Sequence, residues 1–121
     1  MLNCIFVGLG GFLGSVLRYL VGLIPLETAH GFPVKTLCIN VAGAFAIGLI
    51  AALAAREGQL DPRAVLFWKV GVCGGFTTFS TFAYETGALT QNGNGAWAAA
   101  YVILSVALGV AAVLAAQALM K

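Results

Sequence analysis

GVCGGFTTFSTFAYE, residues 71–85, places three glycines, four Ser and Thr side chains and three phenylalanines inside a run long enough to sit in a bilayer. Glycine lets backbones approach closely and loosens a helix. Threonine and serine bond their own turn or offer donors to a ligand. At membrane depth an irregular backbone is tolerated only where protein buries it or where it lines a wet cavity. A segment this polar, in a chain this apolar, reads as a broken span that holds a pathway or a site.

Outward from that segment the chain is apolar almost throughout. Of 121 residues, 61% are hydrophobic and 8% charged, and the mean hydropathy is +1.01. Soluble domains carry roughly a quarter charged residues, so that class is excluded. Four apolar runs, 2–23, 36–55, 64–89 and 96–120, stand out. Each matches the roughly 20 residues a helix needs to cross about 30 Å of hydrocarbon. The expected fold is an all-α integral membrane protein: one domain over residues 1–121, four transmembrane helices, the third of them broken. Its partner is the lipid bilayer. No Lys or Arg precedes the first run, and that run does not close on a small-residue cleavage site, so it reads as a retained span.

Charge and cysteine usage exclude further classes. A net charge of +2 without a basic cluster gives a nucleic-acid backbone nothing to hold. Cys4, Cys38 and Cys73 stand alone without a CxxC pair, which excludes a thiol oxidoreductase or zinc motif and reads them as small buried hydrophobes. His30 is the one histidine and lies in a loop, so no nucleophile–base pair is evident and the chain does not read as an enzyme. With four spans, the termini and the second loop share a face that carries Arg56, Arg63, Lys69 and Lys121. The other side has Lys35, with Arg18 late in the first span. This excess points to cytoplasmic termini, by a margin narrow enough to permit insertion both ways.

Within the spans, few polar residues need an account. Gly11, Ser15, Arg18 and Gly22 share one face of the first helix, and small residues on a face favour close helix packing. Arg18 either snorkels to the interface or serves a pathway. Thr36 and Asn40 are one turn apart on the second span; an amide there glues helices or presents donors to a ligand. In the third span Gly74–Gly75 marks a natural break. Broken helices expose carbonyls that suit a hard cation and N–H groups that suit an anion. Phe79 and Phe82 share a face, which by spacing alone reads as packing bulk. Glu85 is the only acid within a span. Tyr101 and Ser105 are four apart on the fourth span and could form one polar seam, and QNGNG before it reads as a turn. Glycine faces left over after intramolecular packing suggest a homodimer.

GGFLGSVLRY (10–19), KTLCINVAGAFAIG (35–48) and residues 71–85, with the four-span layout, resemble the CrcB/Fluc family of fluoride ion channels. The resemblance covers the whole chain, and its third-span stretch is the most specific part. It implies an antiparallel, dual-topology homodimer in the bacterial plasma (inner) membrane, with two passive fluoride pathways that lower fluoride toxicity. It further implies a central structural Na⁺ ligated by the backbone carbonyls of Gly74 and Thr77 from each subunit. Phe79 and Phe82 become ion-facing rings, Asn40 a pore-facing amide, and Ser80 and Thr81 a hydroxyl track, with Thr36 a further member. Arg18 and Glu85 match polar residues beside the pathway.

Two other classes compete with this reading. A proton-coupled small multidrug transporter, also a four-span homodimer, resembles this chain in size but depends on an acid in its first span. Here that span carries Arg18 and no acid. A structural scaffold would use the polar residues only as glue and would conduct no ions.

Overall fold

The computed structural model describes residues 1–56, 58 and 60–121, and among them every regular element is helical. Three helices are long and apolar enough to cross a membrane: α1 (Leu2–Gly22), α2 (Val34–Ala54) and α6 (Gly95–Leu119). The third helical run comes in pieces. It starts as α3 (Pro62–Val65), continues as a π-helix (Leu66–Cys73), returns to α4 (Gly74–Phe76), breaks, and resumes as α5 (Phe79–Gln91).

Local chemistry sets these boundaries. Asp61 caps α3, its Oδ1 accepting from the Arg63 N–H at 2.7 Å, and Pro62 fills the first helical position, where a missing N–H costs nothing. α5 ends at Gln91, and two residues on, Gly93, with φ 80°, lets the Asn94 N–H turn back to the Leu89 carbonyl at 2.8 Å. Between α1 and α2 lies a single 3₁₀ turn, Ala29–Gly31. Lys35 tethers that connection by donating to the Gly22 and Ile24 carbonyls at the end of α1.

The helices pack in two pairs: α1 lies along the π-helix and α4, and α2 lies along α6, with α5 leaning on α6. In lipid no hydrophobic force distinguishes a helix from its surroundings, so contact depends on how closely backbones approach. α1 meets the third run backbone to backbone. A Cβ on Gly14 would overlap the Val72 carbonyl oxygen and lie 2.8 Å from the Phe76 nitrogen; one on Gly10 would overlap Phe67 O and lie 2.9 Å from Gly71 Cα. From the other side, a Cβ on Gly75 would come within 2.6 Å of Gly11 O. α2 meets α6 the same way at Gly48, against Val113 O and Ala116.

Three expectations change here. The packing face of α1 is built on the buried Gly10 and Gly14, with Gly11 at its edge; Ser15 and Gly22 are exposed. Two four-residue ladders of small residues, Gly10–Gly14 and Gly11–Ser15, fit the same periodicity, and only the partner helix chooses between them. The break falls at Thr77–Thr78, after Gly74 and Gly75, which stay helical. Glycine permits a break but does not force one, and these glycines serve close packing on α1. Cys4 and Cys38 are exposed on the single chain, and only Cys73 is buried.

Gly14→Ala is expected to abolish the α1–third-run contact, seen as loss of the monodisperse peak on size-exclusion chromatography. Gly8→Ala, with nothing within 4 Å of the new Cβ, should elute as the parent does.

Candidate functional site

A break in a helix leaves backbone groups without their usual partners, and an unsatisfied buried group costs about 1–3 kcal/mol. At Thr77 (ψ 158°) and Thr78 (φ −149°) the chain is extended, so the ladder of bonds four residues apart is interrupted. Side chains replace most of it. Asn40, on α2, offers its amide to both sides of one peptide residue: Oδ1 accepts from the Thr78 N–H at 2.8 Å, and Nδ2 donates to the Thr78 carbonyl at 3.1 Å. Arg18 Nε donates to the Gly75 carbonyl at 3.1 Å. Thr78 caps α5, its Oγ1 accepting from the Thr81 N–H at 3.1 Å.

Among the carbonyls that remain are those of Gly74 and Thr77. The N–H that a continuous helix would bring to Gly74 O belongs to Thr78, and it is held by Asn40. The N–H that would reach Thr77 O belongs to Thr81, and it is held by Thr78. Among the described residues neither carbonyl receives a hydrogen bond. Both are hard oxygen donors of the kind hard cations take. No group of His, Cys, Asp or Glu among the described residues has the clustering to hold a metal through side chains.

The polar side chains predicted from sequence fall into two cavities that meet at Thr78. Asn40, Gly74, Thr77, Thr78, Phe79 and Phe82 line an open groove of about 400 Å³, together with Ser105. Among the described residues, no charged side chain is in its wall. Arg18, Thr36, Thr81 and Glu85 line a second cavity, also about 400 Å³, with Lys35 and Tyr19. Ser80 is exposed and belongs to neither, so the structure does not bring Ser80 and Thr81 into one track with the phenylalanines.

Hydroxyls divide by use. Thr77, Thr86 and Thr90 bond back to the carbonyl four residues earlier, at 2.8, 2.8 and 2.9 Å. The hydroxyls of Ser80 and Thr81 make no hydrogen bond to another described residue, which leaves them free for a ligand. Ser105 Oγ is buried without a partner, at the wall of the groove. The two rings also differ: Phe79 is 78% exposed on the open side, while Phe82 leans edge-on against Tyr101 at 5.0 Å. Their centroids are 5.8 Å apart.

Glu85 is held by two donors, Thr36 Oγ1 to Oε2 at 2.9 Å and Tyr101 Oη to Oε1 at 2.8 Å. The sequence spacing joins Tyr101 to Ser105 and gives Glu85 no partner, whereas the packing joins Tyr101 to Glu85. A lone acid in a span needs partners, which was the available signal, but identifying them takes the packing of three helices.

A family model described as "CrcB-like protein, Camphor Resistance (CrcB)" matches residues 5–117. Proteins named "Fluoride-specific ion channel FluC" align along most of the chain. The Chlorobaculum tepidum protein is 46% identical over 121 residues, which is 100% of this chain and 96% of the relative. That of Rhizobium meliloti is 44% identical over 122 residues, 100% of this chain and 98% of the relative. The Rhodospirillum rubrum protein is 50% identical over 107 residues, 84% and 81% of the two chains. The chain belongs to the CrcB family and is a multi-pass bacterial membrane protein.

The pairing at Asn40 carries a stability cost that can be measured. Asn40→Ala strips two partners from Thr78 and is expected to cost about 2–5 kcal/mol, read as a lowered midpoint of thermal unfolding in detergent. Ser80→Ala, which removes no bond, is expected to leave that midpoint where it was. Equal midpoints for both variants would show that Asn40 does not hold the break.

Proposed function

We propose that this chain is a passive, fluoride-selective channel that works as an antiparallel homodimer, with a structural sodium ion at the crossing of the two broken third helices. Its full-length likeness to proteins named as fluoride-specific channels supports the ion. The carrying observation in the structure is the groove beside the break, whose polar wall is neutral: one amide, three hydroxyls, two unpaired carbonyls and two aromatic rings.

That wall suits a small, strongly hydrated anion. Fluoride gives up its water only for several replacement donors, yet conduction requires release at each step. A fixed cation in the groove would trap it. Amide and hydroxyl groups donate without a full charge, and aromatic edges present the positive part of the ring quadrupole. Phe79 on the open rim and Phe82 behind it offer such edges, and Asn40 supplies a donor in the groove. The free hydroxyls of Thr81, in the second cavity, and of Ser80, outside both, would add donors to the proposed route, with Thr36 tied to Glu85 at its side. Arg18 and Glu85 stand beside it: the first supports the break through Gly75, the second is tied to Thr36 and Tyr101.

Gly74 and Thr77 would hold the sodium through backbone carbonyls that lack intrachain donors, joined by the same pair from a second copy. Bound there, the ion offsets carbonyl dipoles that the break leaves unbalanced. An antiparallel partner would also close the open side of the groove. Nothing in the sequence couples transport to an energy source, so fluoride would move down its gradient, out of the cell, and its toxicity would fall. The chain is not an enzyme.

Purified protein in liposomes is expected to release trapped fluoride without an added energy source and to retain chloride, as followed with ion-selective electrodes. Absence of fluoride release, or chloride release at the same rate, would sink the channel reading. Phe79→Ile removes an edge contact worth about 0.5–1.5 kcal/mol, so efflux should fall severalfold while cross-linked dimer persists. Loss of dimer alongside flux would favour the scaffold reading.

A further inference from the structure

A continuous stack of aromatic groups runs from the α1–α2 connection to the groove. His30 lies over Trp97 with ring centroids 5.0 Å apart and planes at 27°. Trp97 meets Phe32 edge-on at 5.8 Å, and Phe32 meets Tyr101 at 5.6 Å in the same manner. Tyr101 meets Phe82 at 5.0 Å, and Phe82 meets Phe79 at 5.8 Å. Three separate elements supply these rings: the connection gives His30 and Phe32, α6 gives Trp97 and Tyr101, and α5 gives Phe79 and Phe82.

Tyr101 sits at the junction. It is 0% exposed, it packs Phe82, and its hydroxyl donates to Glu85. Edge-to-face contacts are directional, so the tilt of the phenol, and with it the direction of the O–H, follows from the rings on either side. On the groove side that ring is Phe82. On the other it is Phe32, which belongs to no helix and is followed by Pro33. Phe32 is itself pinned by Trp97, one turn before Tyr101 on α6.

We propose that Phe32 and Trp97 are positioning residues: through edge contacts they fix Tyr101 in the orientation in which its hydroxyl holds Glu85 beside the ion route. The connection between α1 and α2 is thereby coupled to the groove. This rests on the channel reading, since the effect is exerted on its proposed pathway. It differs from simple core packing in one respect: Phe32 acts on the ion through the Tyr101 hydroxyl, and loses that influence when the hydroxyl is absent.

The test is a double-mutant cycle on initial fluoride efflux from liposomes. Phe32→Leu is expected to lower efflux about three- to tenfold from the loss of one directed ring contact, and Trp97→Leu to act in the same direction. In a Tyr101→Phe background neither is expected to lower it further. The same fold-loss in both backgrounds would overturn the proposal. If the leucine variants do not assemble, Phe32→Tyr and Trp97→Phe run through the same cycle; their losses, too, must vanish with the hydroxyl, or the proposal fails.

A second arm needs no ion flux. Trp68→Phe leaves Trp97 the only indole of the two in the chain. Adding Glu85→Gln is then expected to change Trp97 emission, because the disturbed phenol passes its shift through Phe32; an unchanged spectrum counts against the stack. Failure of the parent protein to release fluoride would refute the channel and leave this spectral arm to decide the coupling.

Discussion

A peptide group taken out of a helix at membrane depth has no water to turn to, so every such group must find protein or an ion. That constraint organises the middle of this molecule. The break at Thr77–Thr78 frees several donors and acceptors at once, and polar residues of two other elements, α1 and α2, are spent on them. Asn40 suits its place because an amide carries a donor and an acceptor on one flat group, as a peptide does. It completes Thr78 as a neighbouring strand would. Arg18 covers Gly75, and Thr78 covers Thr81 with its own hydroxyl. Among the groups these side chains leave uncovered are the carbonyls of Gly74 and Thr77.

Close backbone contact makes this repair possible. The Gly10 and Gly14 face draws α1 against the π-helix, and only at that approach does a side chain on α1 reach Gly75. On the other side Gly43 plays the same part: a Cβ there would overlap the Thr77 side chain, so α2 comes near enough for Asn40 to reach Thr78. Glycine in these helices weakens them individually and strengthens the pairings that hold the broken run. The stability of the fold and the existence of the site therefore rest on the same small residues.

The spans were legible because hydropathy is a property of composition and survives without knowledge of partners. Helix ends came within a few residues for the same reason. The position of the break was not, since glycine is the usual local signal and the residue that satisfies the exposed Thr78 peptide groups lies 38 positions away. The α1 packing face was ambiguous because two sets of small residues satisfied one periodicity. Asn40 reads two ways in sequence, as glue or as ligand, and its geometry supplies the first while leaving it on the wall of the groove. Phe79 and Phe82 look like packing by spacing, and it was resemblance that singled them out. The links of Glu85 to Thr36 and Tyr101 join three helices, and nothing local to any one of them announces the others.

The bond from Arg18 to Gly75 also bears on how the chain is made. Its two ends lie 57 residues apart, and at a synthesis rate of about 5–20 residues per second the arginine is complete roughly 3–11 s before its acceptor exists. Throughout that interval α1 stands in or beside the bilayer with a bare guanidinium, whose cost at a helix centre is about 2.5–3.5 kcal/mol. Arg18 avoids the centre: it lies one turn from the end of α1 at Gly22, where a long side chain reaches the headgroups. Anchoring at the interface and support of the break then belong to one residue at successive times, the first while the protein is being born and the second once the third run has arrived.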